Sequence, residues 1–212
     1  MTAISKLSTR PLLWLDIDGV VRAWRDTQCS YRGYKEVTVS DDVITQNILY
    51  RPAVVRAIAQ VVKRGVEVRW LTMWGSASRS LFGPALGFPD LVNAVDSPPR
   101  GGGEPGPSVA SLCWWKKEFV REALKAEPNR PMMWIDDSIS VDMLHFWSGP
   151  PNLSYIIPDE SLGLDRWDVI AVSRWSRNPS RQVRPDSVRG RVPGELRVRS
   201  YPTRPARDGD AS

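Results

Sequence analysis

Five polar residues stand where three apolar runs of this chain stop. Asp16 and Asp18 fall in Leu12-Leu13-Trp14-Leu15-Asp16-Ile17-Asp18-Gly19-Val20, Thr72 closes Val66-Glu67-Val68-Arg69-Trp70-Leu71-Thr72, and Asp136-Asp137 close Met132-Met133-Trp134-Ile135. Each run reads as a short buried strand with polar chemistry at its C-terminal tip. Open α/β sheets gather their sites at the C-terminal ends of parallel strands. Two carboxylates, a hydroxyl and a second carboxylate pair would then share one crevice. That set suits Mg²⁺-assisted phosphoryl transfer through an aspartyl-phosphate.

The individual assignments follow from what each group can do. As the first strand breaks at Gly19, Asp16 and Asp18 can both face the crevice. One carboxylate can attack phosphorus while the other acts as general acid and base. The glycine permits an unusual backbone path. Calcium loops also use Asp-x-Asp with Gly but need further acidic ligands and a closing Glu. Val20-Val21-Arg22-Ala23-Trp24 supplies none. The Thr72 hydroxyl can donate to a phosphoryl oxygen. In Trp114-Trp115-Lys116-Lys117-Glu118-Phe119-Val120, a lysine can balance the negative charge. Lys116 and Lys117 project about 100° apart on a helix. Lys116 is preferred because it shares a stripe with Val120 and Leu124, although Lys117 stays open. Adjacent Asp136 and Asp137 are costly at a buried tip without a cation, which Mg²⁺ would supply. The alternative is a helix N-cap with Ser138 nearby. Asp142 reads as a helix-surface residue, with an outer-shell ligand role as the alternative. Trp74 can stack on a substrate's leaving group or serve as scaffold. Strand parity puts Trp14, Trp70 and Trp134 on the same sides as Asp16, Thr72 and Asp136. This suggests an aromatic layer beneath the site, or ordinary core packing.

The elements that must hold these residues are an alternation of strands and helices. A first strand is predicted over 11–17, after a loose leader at 1–10. Residues 22–50 form an insert in which Lys35–Val39 and Ile44–Tyr50 read as a hairpin flap. Pro52 starts a helix whose apolar stripe runs through Val54, Val55, Ile58, Val61 and Val62, with Gly65 as its C-cap. Trp74 to Gly87 reads as a loop and short helix, and Leu91–Val95 as the third strand. Ser97–Ser108 is a Gly- and Pro-rich loop that is no P-loop, since no Gly-Lys-Ser/Thr follows. A helix over 109–126 precedes the fourth strand, and Tyr155–Ile157 is the fifth. Leu164–Trp175 is a closing helix. Such alternation implies a parallel, right-handed wound sheet.

Composition limits the alternatives. The 212 residues, 42% hydrophobic, suit one soluble α/β domain. No apolar run approaches the ~20 residues that span a bilayer. The apolar run after Lys6 and Arg10 is cut by Asp16 and Asp18, so it is not read as a signal peptide. Two distant cysteines, Cys29 and Cys113, read as reduced thiols in a cytoplasmic protein. A single His145 excludes a His-rich zinc site. The net charge of +5 is uneven. From Arg174 onward ten Arg oppose Asp186, Glu195, Asp208 and Asp210, so the body is near neutral. Residues 177–212 read as a basic, disordered tail.

Taken in order, Asp16-Ile17-Asp18-Gly19-Val20, Thr72, Lys116 and Asp136-Asp137 resemble the four motifs of the haloacid dehalogenase (HAD) superfamily, in its phosphatase branch. The resemblance spans about residues 10–176. Trp70-Leu71-Thr72-Met73-Trp74 and Leu86-Gly87-Phe88-Pro89 resemble a small HAD-like group related to domains of RNA-repair proteins. The resemblance implies a Rossmann-like sheet of order 5-4-1-2-3, while the insert between Asp18 and Pro52 has room for a hairpin flap and neither it nor the Ser97–Ser108 loop has room for a large cap domain. It implies Asp16 as nucleophile, Asp18 as acid/base, and Thr72 and Lys116 as phosphate holders. Mg²⁺ would bind Asp16, the Asp18 backbone carbonyl, and Asp136 or Asp137. By family analogy an uncapped site favours bulky substrates such as a nucleic-acid phosphate end or a phosphoprotein, while nucleotides and other small phosphomonoesters stay open if the flap or an oligomer partner closes the site. The Arg-rich tail could contact nucleic acid without sequence preference. The alternative reading is a nucleic-acid-binding or interaction module on this fold with little or no catalysis.

Overall fold

In the computed structural model of the chain, residues 10–97, 114–139 and 151–180 are described. The expectations for the leader, most of the Ser97–Ser108 loop, the start of the 109–126 helix, Cys113, Asp142, His145 and nearly all of the tail lie outside those residues.

Five parallel strands form the central sheet. They are β1 (Leu12–Leu15), β4 (Glu67–Trp70), β5 (Val92–Asn93), β6 (Met132–Ile135) and β7 (Leu153–Ile156). Their order, β5-β4-β1-β6-β7, is the one expected, with the first strand central. Every pairing in this sheet is parallel. This is a Rossmann-like α/β architecture. Strands β2 (Lys35–Ser40) and β3 (Thr45–Tyr50) pair antiparallel in a separate hairpin, within a residue of the predicted flap.

Alternation along the strands sorts side chains into two layers. Leu13, Leu15, Met133, Ile135, Val68 and Trp70 share one core with Val54, Val55, Ile58 and Val61 of helix α1 (Pro52–Lys63). The same core takes in Ala171, Val172 and Trp175 of the last helix, Arg166–Trp175. That helix begins with a capping box in which Asp165 and Asp168 reciprocally satisfy backbone N–H groups. Between β4 and β5 lie a π-helical turn (Ser78–Phe82) and the short α2 (Gly83–Leu86). Leu12, Trp14, Met132, Trp134 and Leu153 face the opposite way, against Val120 and Leu124 of α3 (Trp114–Ala126). The Arg166–Trp175 helix is therefore α4. Helices cover both faces, as a buried parallel sheet requires.

One expectation is corrected here. Trp14 pairs in register with Trp134, but Trp70 pairs with Leu15. The offset turns Trp70 to the α1 face, edge-on to Phe82 and Phe88 at 5.7 and 5.1 Å between ring centroids. Trp14 meets Phe119 of α3 instead, at 6.3 Å. The three tryptophans form no common layer.

Candidate metal and phosphate site

Asp16 and Asp136 lie just past the ends of two adjacent strands, with their backbones still tied to the sheet. Asp16 N–H donates to the Ile135 carbonyl (3.1 Å), and Asp136 N–H to that of Ile156 (3.2 Å). Each lies two residues beyond a tryptophan of the α3 face, so both carboxylates are directed toward α3. The stripe Lys116, Val120, Leu124 on that helix is buried. Val120 and Leu124 pack on the sheet while Lys116, one turn earlier, passes beyond its edge. Lys116 Nζ donates to Asp16 Oδ2 (2.6 Å) and Asp136 Oδ2 (2.9 Å). The choice of Lys116 over Lys117 as the residue that enters the site accords with this geometry.

Asp16, Asp136 and Asp137 each place a carboxylate oxygen within 4.8 Å of the others. Other hydrogen bonds fix the first two. Asp16 Oδ1 accepts the Ile17 N–H (2.7 Å). Asp136 Oδ1 accepts the Ser138 N–H (3.0 Å) and the Ser138 hydroxyl, and its Oδ2 accepts from the Trp134 indole (3.3 Å). The N-cap-like turn at Ser138 therefore coexists with the cluster. Gly19 presses against it from the other side. Its φ is +68°, and a β-carbon there would collide with the Asp137 carboxylate.

Electrostatics mark the cluster as short of positive charge. Burial, opposed by Lys116 and reinforced by Asp136, raises Asp16 from 3.8 to about 7. Burial, then Asp136 and Asp16, raise Asp137 to about 8. Burial disfavours the Lys116 ammonium, but Asp16 and Asp136 outweigh it and hold the lysine above its ordinary range. Among the described residues, one ammonium faces three carboxylates. A divalent cation would supply what is missing, and an all-oxygen donor set suits a hard ion. The buried Asp cluster can hold a metal ion.

Asp18 is placed differently. Its carboxylate is outside the cluster, with Oδ2 accepting from the Trp74 indole (2.8 Å) and Oδ1 paired with Arg22 (3.1 Å). Its side chain keeps 32% of its exposure, against 7% for Asp16. The carboxylate is thus not among the grouped metal donors, and the expected ligand there, its backbone carbonyl, is untouched by this. Thr72 lies buried at the same sheet edge, just beyond β4, but its Oγ1 accepts a long bond from the Trp74 N–H (3.4 Å). Among the described residues it makes no hydrogen bond to the carboxylates. Trp74 itself is half-buried and tilted on Phe82 at 5.6 Å, so its indole orients Asp18.

Arg22 was not anticipated from the sequence. It joins Asp18 to the hairpin, donating also to Gln46 Oε1 (3.0 Å), while its backbone bridges to Tyr50. The available signal was an arginine four residues after Asp18, which is ambiguous without knowing that the chain turns there. Comparison of the chain with protein-family models, curated proteins and solved structures returns no significant match.

Proposed function

We propose that this protein is a Mg²⁺-dependent phosphomonoester hydrolase that works through an aspartyl-phosphate, on the HAD pattern its motifs resemble. The observation that carries the reading is the buried carboxylate trio with Lys116 spanning Asp16 and Asp136. Such a group is costly to bury unless a further cation balances it. Asp16, Asp136 and Asp137 would hold Mg²⁺, with the Asp18 carbonyl as a further ligand. The ion would neutralise charge on the phosphoryl group and on the attacking carboxylate.

The difference in exposure supports giving the two motif aspartates different roles. Asp16, buried and anchored by Ile17 N–H and Lys116, is the nucleophile. Its oxygen forms a bond to phosphorus as the bond to the leaving oxygen breaks. Asp18 reaches solvent and can exchange protons with it. It gives a proton to the leaving oxygen, then takes one from the water that hydrolyses the aspartyl-phosphate. Lys116 stabilises the equatorial charge, and the Thr72 hydroxyl, whose oxygen accepts the long Trp74 N–H contact, donates its own proton to the phosphoryl group. Nucleotides and nucleic-acid ends are the substrate class proposed, on the uncapped HAD pattern that the sequence resembles.

The test is phosphate release from an aryl phosphate, a nucleotide panel and 3′- and 5′-phosphorylated oligonucleotides, with Mg²⁺ or with chelator. Release should require Mg²⁺ and vanish in Asp16→Asn. Equal rates in wild type and Asp16→Asn on every substrate would defeat the proposal.

A further inference from the structure

Beside Asp18, on the flap side of the site, stands an exposed aromatic ring that the reaction does not use. Trp24 is 44% exposed. The Arg22 guanidinium lies over its ring, 4.2 Å from the centroid, while the same guanidinium pairs with Asp18. The ring is thus one guanidinium's width from the acid/base carboxylate.

Its backbone is tied at both polar groups. Trp24 N–H donates to the Glu160 carbonyl (2.9 Å), and its carbonyl accepts from the Tyr31 hydroxyl (3.2 Å). The preceding Ala23 N–H donates to Leu49 of β3 (2.8 Å). An indole held out in water on a fixed backbone is a preorganised surface for a flat partner, because little ordering remains to be done on binding. The surrounding segment, 22–36, carries Arg22, Arg25, Arg32 and Lys35 against Asp26 and Glu36. Arg25 is 60% exposed, paired with Glu36 (3.0 Å) and near the Tyr31 ring (5.6 Å). Aromatic rings interleaved with arginines suit a partner that is both flat and anionic, which is the chemistry of a nucleotide chain.

We propose that Trp24 is the stacking platform for the nucleobase of a nucleoside-phosphate end whose phosphoryl group is seated at Asp16. This rests on the phosphohydrolase reading and names its leaving group as a nucleoside. The base stacks on the indole face opposite the Arg22 guanidinium, so ring and guanidinium both lie between base and acid/base, and the sugar passes their edge to reach Asp16.

The test is equilibrium binding to the full chain with Mg²⁺, using probes that cannot turn over. These are the 5′- and 3′-phosphonate analogues of adenosine, the phosphonate analogue of phosphotyrosine, and inorganic phosphate. Base–aromatic stacking predicts that the adenosine phosphonates bind about 5- to 150-fold more tightly than phosphate. Trp24→Ala should remove that advantage and Trp24→Phe should keep most of it, both with wild-type circular dichroism. An advantage that survives Trp24→Ala, or none in the wild type while phosphate binds, overturns the platform and leaves the hydrolase reading standing. An equal gain for the phosphotyrosine analogue overturns the nucleoside assignment. Failure of every probe, phosphate included, removes the phosphate site and the platform together.

Discussion

Two aspartates two residues apart occupy different electrostatic settings, and the hydrolase reading gives them different tasks. Asp16 belongs to the buried trio, whereas Asp18 is held at the rim by Trp74 and Arg22. Asp18→Asn keeps the backbone carbonyl and leaves the three grouped carboxylates in place. It should therefore preserve Mg²⁺ affinity within about threefold while lowering turnover by about 10²–10⁴, the usual worth of a general acid/base. Asp16→Asn should lose both. Calorimetric Mg²⁺ titration alongside steady-state rates separates the two, and an Asp18→Asn protein that no longer binds Mg²⁺ would contradict the division. At this scale the sequence was informative: Asp16, Lys116, Asp136 and Asp137 meet as their spacing implied. Thr72 reaches the right edge without touching the carboxylates. Asp18's partners, Arg22 and the Trp74 indole, depended on how the chain turns after Gly19, which the spacing of charges does not encode.

Elements were legible where their patterning had one solution. The α1 stripe, with Pro52 at its start and Gly65 after its end, could only be a helix packed on one side. The hairpin was readable from two β-rich runs around Ser40-Asp41-Asp42. The facing of β4 was misread because the equal spacing of Trp14–Asp16 and Trp70–Thr72 says nothing about register. Strands β1 and β6 are apolar on both sides, so their parity has no preferred sense. Strand β4 is amphipathic: Val68 and Trp70 must meet the α1 layer, which sends Glu67 and Arg69 to the other face. There Glu67 accepts from Arg69 (2.6 Å) and pairs with Arg130, whose other donors reach Glu127 (3.0 Å) and the Arg10 carbonyl (2.7 Å). Arg130 therefore fastens β4, the end of α3 and the approach to β1. Arg130→Ala should cost about 3 kcal/mol, the low end for breaking a buried ion pair, since Glu67 and Glu127 keep some solvent. Urea unfolding would read it as a lower midpoint at unchanged slope. A loss below about 0.5 kcal/mol, as for an ordinary surface change, would deny the fastening role.

Across the whole molecule, the charge deficit at one sheet edge should govern how stability responds to pH and metal. No helix among the described residues is long and apolar enough to cross a membrane. Asp16 and Asp137 have folded-state values raised from 3.8 to about 7 and about 8. Between pH 4 and 8 the metal-free folded chain thus holds protons that the unfolded chain has released. Stability is linked to that difference, so it must fall as pH rises through this window. Glu67 has the opposite sign: burial opposes its charge, but hydrogen bonds and charge from Arg69 and Arg130 hold it below 4.5. Its contribution is present above the unfolded value and lost in acid, below the window that reports the cluster. Lys116 is raised above 10.5 and stays charged throughout. Mg²⁺ competes with the protons on Asp16 and Asp137, so it should bind more tightly at pH 8 than at pH 5 and cancel the loss. At a hundredfold excess over its dissociation constant, a ligand adds about 2.7 kcal/mol, or roughly 5–10 °C in Tm for a chain of this length. Calorimetric scans in chelator and in Mg²⁺ should show that increment at pH 8 and little of it at pH 5. Identical scans with and without Mg²⁺ at pH 8 would mean that the trio tolerates its own charge without a cation, which would withdraw the metal from the mechanism.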